Sequence, residues 1–65
     1  MPIIRIEMFA GRSVEQKREL AASFTATMVA ICNVNAEDIS IIFEDRKMED
    51  WAFAGKLCAD LMAQP

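Results

Sequence analysis

Residues 11–33 read GRSVEQKRELAASFTATMVAICN, and how this stretch starts, repeats and stops decides the rest of the chain. Gly11 interrupts the pattern before it. Ser13 stands where a helix N-cap belongs, and Gln16 three positions on completes a capping box. From about Val14 to Cys32 the apolar residues Leu20, Ala21, Phe24, Met28, Ile31 and Cys32 recur at three and four, while Glu15, Lys17, Arg18 and Glu19 load the opening turns with charge. This predicts an amphipathic helix of roughly five turns. Asn33 follows as a left-handed C-cap, and Asn35 opens a short turn.

Outward on both sides the period changes to two. Ile4, Ile6 and Met8 alternate with Ile3, Arg5, Glu7 and Phe9, which reads as a strand covered on both faces. In ISIIFE, Ile39, Ile41 and Phe43 fall on one face and Ser40, Ile42 and Glu44 on the other, a second strand over Ile39 to Glu44. Strand, helix and strand with a crossover of this length predict a parallel pair joined right-handedly. The expected fold is α/β (α+β): a β-α-β subunit with a two-stranded parallel sheet. The stretch DRKMEDWAFAG then reads as a loop or short hairpin carrying Trp51 and Phe53, and KLCADLMA as a short final helical segment. Residues 1–65 read as one domain, without repeat, linker or low-complexity tract.

Size and composition set the next expectation. A chain of 65 residues buries only about 60% of the surface its unfolded form exposes. Its composition is 54% hydrophobic, with five Met, four Phe and one Trp, more apolar material than one small core hides. Small scaffolds of this kind add disulfides, a metal or further copies. There is no His, and Cys32 and Cys58 lack the paired spacing that holds zinc. With no signal peptide and no apolar run of membrane-spanning length, both cysteines read as reduced, buried thiols of a cytoplasmic protein. Oligomerisation remains, and it would close the open sheet face and edges. A net charge of −3 without a basic stripe argues against nucleic acid, and the acidic residues of AEDIS and EDRKMEDW do not follow a calcium-binding loop.

Chemistry is narrowed by what is missing. Without His or Tyr, and with neither Cys partnered by a His, a catalytic base must be a carboxylate, a lysine or the N-terminus. Pro2 follows the initiator methionine, and a small residue there lets the aminopeptidase remove Met1. The exposed secondary amine would be a base of useful strength near neutral pH, since α-amino groups titrate near pH 7.7–8.0 and desolvation lowers that value. Arg12, in the loop before the helix, is suited to clamp a carboxylate with help from the first-turn N–H groups, although an arginine beside an N-cap ordinarily just solvates a loop. Between it and Pro2 runs a strand of about 23 Å, so within one subunit the two do not easily meet unless the chain folds back, and a neighbouring subunit could supply the missing group. Trp51 suits either an interface plug or a pocket wall.

Taken together, MPII, AGRSVEQKREL, ISIIFED and DWAFAGKL make the chain resemble the 4-oxalocrotonate tautomerase family, among its short members. The likeness covers nearly the whole chain, and GRSVEQK at its fixed distance from Pro2 is its most specific part. It implies a subunit that pairs sheets into dimers and assembles as a homohexamer, a trimer of dimers. It implies a cofactor-independent keto–enol tautomerase of small 2-oxo or dienol acids, with no metal, nucleic-acid or membrane partner. Pro2 would be the general base, Arg12 the carboxylate-binding catalytic arginine, and Trp51 part of the apolar wall. Phe9, Ser40 and Arg46 join Trp51 as substrate-binding candidates.

The chain departs from the family pattern twice. Ser40 stands where members carry a second arginine, so a hydroxyl replaces a charge, and Arg46 and Arg5 are the possible substitutes. Trp51 replaces the more familiar Phe, keeping the wall and adding a donor. The same superfamily performs hydration with dehalogenation, or decarboxylation, of short unsaturated acids with a protonated proline. That alternative stays open, with Glu44, Asp45, Glu49 and Asp50 as candidates to activate water. A non-catalytic oligomeric binding module is the third reading, with Ser40 as the sign of lost activity.

Overall fold

The computed structural model describes residues 1–63, with side chains through residue 61. Strand β1 (Ile3–Phe9) leads through a Gly11-containing loop to helix α1 (Val14–Cys32), and a 3-10 turn (Ala36–Asp38) brings the chain to β2 (Ser40–Arg46). A second 3-10 turn (Met48–Asp50), a two-stranded hairpin of β3 (Ala52–Phe53) and β4 (Lys56–Leu57), and helix α2 (Cys58–Ala63) complete it. The β-α-β unit with a C-terminal hairpin is therefore as expected. β1 and β2 pair in parallel from Ile3 opposite Ser40 to Phe9 opposite Arg46, so β2 begins one residue later and ends two residues later than its alternation suggested.

Local chemistry explains the helix limits. Ser13 Oγ accepts from the Gln16 N–H at 3.1 Å, and Gln16 Oε1 accepts from the Ser13 N–H at 2.9 Å, which satisfies two donors that the first turn leaves orphaned. Asn33 closes the helix with φ 55° and ψ 42°, its N–H donating to the Val29 carbonyl, as a left-handed cap does. Gly11 has φ +122°, a conformation open to a residue without Cβ.

The sheet has two unlike faces. Ile4, Ile6, Met8, Ile41 and Phe43 are half-buried on one of them, where Lys17 of α1 meets Asp45 at 2.7 Å and lies 5.9 Å from the Phe43 ring centre. The other face presents Ile3, Arg5, Glu7 and Phe9 beside Ser40, Ile42, Glu44 and Arg46. Among the described residues only Trp51, stacked on Phe9 at one end, covers part of it, and Ile3 at the other end is 54% exposed, which leaves the open sheet face expected of a single subunit.

Burial is correspondingly thin. Among the described residues only Cys58 is buried, at 3% exposure. The radius of gyration is 15.6 Å, against about 11 Å for a compact chain of this length, and the accessible surface is 5131 Å² against roughly 4,200 Å². Helix α1 buries no residue outright; Lys17, Leu20, Ala21, Thr25 and Met28 are half-buried, while Phe24 and Ile31 stay exposed. Cys32 is exposed too, which corrects the expectation of two buried thiols.

Candidate active site

The sheet separates the candidate residues into two groups at its opposite ends. At the starting end the Ser40 N–H donates to the Pro2 carbonyl at 3.0 Å. Both residues are half-buried, beside Ile3, and Met1 beyond them is 91% exposed. Proline can occupy this position because an N–H is not required of the residue that precedes the ladder.

At the finishing end the Ala10 N–H donates to the Arg46 carbonyl at 2.9 Å. Here the rings of Phe9 and Trp51 lie 4.7 Å apart at 55°, and Phe53 follows 6.5 Å from Trp51. Trp51 is held by its own backbone, whose carbonyl accepts from the Cys58 N–H at 2.7 Å. The hairpin that carries Phe53 turns at Ala54 and Gly55, with φ 51° and 78°, the sign pattern of a type I′ turn. Trp51 also borders an open cavity of about 410 Å³ with Glu7, Arg46, Asp50 and Ala52.

Arg12 lies past the same end of β1 and lines a cavity of about 340 Å³ with Gln16, Glu19, Leu20 and Ser23. Among the described residues it is the one arginine without an ion pair, since Arg5, Arg18 and Arg46 are all engaged. An unpaired guanidinium beside a cavity keeps its planar fork of donors for an incoming carboxylate.

Arg46 is differently occupied. Its Nε and Nη2 donate to Glu7 Oε1 at 3.2 and 2.9 Å, and Nη2 also to Glu44 Oε2 at 3.2 Å. The Glu7 hydrogen bond, then the Glu7 charge, raises its pKa above the ordinary arginine value. Arg5 reaches Glu44 at 3.5 Å. Neither arginine therefore supplies a free charge next to Ser40 in its own chain, and Arg46 stands at the far end of the strand. Alternation places Glu7 and Glu44 on one face, but only the register shows that they are direct cross-strand neighbours. Phe53, the third ring of the aromatic row, was named in the sequence without a role. Among the described residues no group of three or more His, Cys, Asp or Glu is placed to hold a metal ion, and no helix is long and apolar enough to cross a membrane.

One chain thus carries Pro2 and Ser40 at one end of the sheet and Arg12 with the aromatic rings at the other, separated by about 23 Å of strand. Known proteins share this fold. The model of the family described as "Tautomerase enzyme" matches residues 2–61. A probable tautomerase of Ralstonia nicotianae is 35% identical over 65 residues, the whole of both chains. The 2-hydroxymuconate tautomerase of Bacillus subtilis is 31% identical, covering 94% of this chain and 98% of the relative. Among solved structures, a 4-oxalocrotonate tautomerase isozyme from Methylibium petroleiphilum superposes with a TM-score of 0.89 at 32% identity, over 95% of this chain and 97% of that one. A heterohexameric 4-oxalocrotonate tautomerase from Chloroflexus aurantiacus does so at 0.84 and 34%, over 94% and 98%. With a family match spanning nearly all of the described fold, this chain belongs to the tautomerase family and is an enzyme of the isomerase class.

Proposed function

We propose that this tautomerase interconverts the enol and keto forms of a small 2-oxo or dienol acid, with Pro2 as the base and Arg12 as the carboxylate clamp. The observation that carries the reading is the position of Pro2: the family match starts there, and the fold leaves it at the free tip of β1 behind a fully accessible Met1. Removal of Met1 turns its nitrogen from an amide into a secondary amine.

The neutral amine takes a proton from the enol hydroxyl or from carbon next to the carbonyl, and the resulting ammonium returns it elsewhere on the conjugated system. No atom is gained or lost, which is what an isomerase requires. Arg12 fixes the substrate's carboxylate and the first-turn amides lie beside it. Phe9 and Trp51 form the wall that excludes water, with the indole N–H as a further donor. Ser40 offers a hydroxyl to the substrate oxygen next to Pro2.

The site is completed by other copies of the chain. Pro2 and Arg12 are too far apart in one subunit, and the uncovered sheet face and excess surface are what assembly would bury. A homohexamer is the form favoured, in keeping with the heterohexameric relative. The cytoplasm is the expected compartment, where two free cysteines stay reduced.

The test is an intact-mass measurement on untagged protein followed by a phenylenolpyruvate ketonisation assay with the wild type and Pro2→Ala. A mass lacking Met1, with turnover that drops by about a hundredfold or more in Pro2→Ala while the assembly persists, is the expected result. Processed protein in which Pro2→Ala leaves the rate unchanged would remove Pro2 from the mechanism.

A further inference from the structure

We infer that the substrate is monoanionic: one carboxylate held at Arg12 and an uncharged, apolar far end. This deepens the tautomerase reading above and rests on it.

The argument is a charge inventory. The chain has seven Lys and Arg, and Arg5, Lys17, Arg18, Arg46 and Lys47 lie in ion pairs. Among the described residues that leaves Arg12 and Lys56. On the open sheet face the charges cancel: Arg5 and Arg46 stand against Glu7 and Glu44. Around Pro2 that face offers Ile3, Ile42 and the Ser40 hydroxyl, and the nearest cation, Arg5 opposite Ile42, is paired with Glu44. Because the site is built from copies of one sequence, each copy brings the same inventory. Whichever copies meet, the sheet contributes no net positive charge where the proton moves.

Arg12 is the one cation among the residues lining its cavity, so the site offers a single guanidinium, the match of one carboxylate and not of two. Lys56 is a hydrated point charge on a two-residue exposed strand opposite Phe53. A second substrate carboxylate would have to shed water against isoleucines and a hydroxyl, without an unpaired cation to compensate, because Arg5 is engaged by Glu44. The row of Phe9, Trp51 and Phe53, with centres 4.7 and 6.5 Å apart, suits an uncharged tail instead.

The experiment compares kcat/KM for phenylenolpyruvate, a monoacid, and 2-hydroxymuconate, a diacid, on protein whose mass lacks Met1. The wild type, Ser40→Arg and Lys56→Ala are assayed side by side. The monoacid should be favoured by about tenfold or more, the least that one charge-assisted hydrogen bond confers. Ser40→Arg should narrow that ratio by a similar factor through the diacid, and Lys56→Ala should leave it as it was. A wild type that prefers the diacid, or a Lys56→Ala that loses diacid turnover, overturns the inference while the tautomerase reading stands. Processed protein that converts neither compound overturns both. The wild-type ratio decides the matter even where Ser40→Arg does not assemble.

Discussion

Arg12→Ala separates binding from folding more cleanly than any other change in this chain. The guanidinium has no ion-pair partner among the described residues and its side chain is exposed, so stability should move by no more than about 0.5 kcal/mol. A carboxylate held through charge-assisted hydrogen bonds is worth about 1.5–3 kcal/mol, which is a loss of roughly 10- to 150-fold in kcat/KM. Since the clamp grips the carboxylate equally before and during proton transfer, the loss should fall on KM and spare kcat. Arg12→Lys should recover part of it, because an ammonium keeps the charge but not the bidentate fork. The assay is steady-state phenylenolpyruvate ketonisation, paired with thermal unfolding and native mass on the same samples. A kcat/KM within twofold of wild type, with melting and assembly unchanged, would refute the carboxylate-clamp assignment. A fall confined to kcat would instead mean that Arg12 acts on the reacting atoms.

Three further outcomes are expected. Ser13→Ala removes the side-chain half of a capping box whose two bonds measure 3.1 and 2.9 Å and should cost about 1 kcal/mol, read as a lower midpoint in denaturant; an unchanged midpoint would show the cap to be redundant. Ala54 has φ 51°, and Ala54→Asn should raise the stability by about 0.5–1 kcal/mol, since asparagine tolerates the left-handed conformation that a type I′ turn needs. No rise in melting temperature would contradict that reading of the hairpin. Arg46→Ala leaves Glu7 and Glu44 as like charges on directly opposed positions and should destabilise the sheet. Its folded pKa is raised above the ordinary arginine value, so its contribution is complete below that ordinary value and lost only as pH climbs through the raised one. The destabilisation should therefore not decline between about pH 7 and about pH 9, and a decline on alkaline titration in that range would point to a group other than Arg46.

What could be read from the residues alone was whatever depends on neighbours close in the chain. Ser13 and Gln16 cap one helix end and Asn33 the other because capping acts over three or four residues, and Val14 to Cys32 was the helix as found. Alternation over Ile3–Phe9 and the length of the crossover were enough for a parallel pair. Pro2, Arg12 and Trp51 were nameable as candidates because the chemistry each one offers is intrinsic to the residue. The tertiary structure decided what depends on register and on the reach of side chains between elements. It set Glu7 opposite Glu44 and engaged Arg46 with both, stacked Phe9 on Trp51, and left Arg12 without an ion pair among the described residues. It extended β2 through Arg46, because ladder hydrogen bonds to β1 continue past the point where apolar alternation stops. It also fixed what lies at each end of the sheet, Ser40 beside Pro2 and the Phe9–Trp51 pair beyond Arg46, because which residues meet at a strand end is set by the register and not by either strand's own sequence.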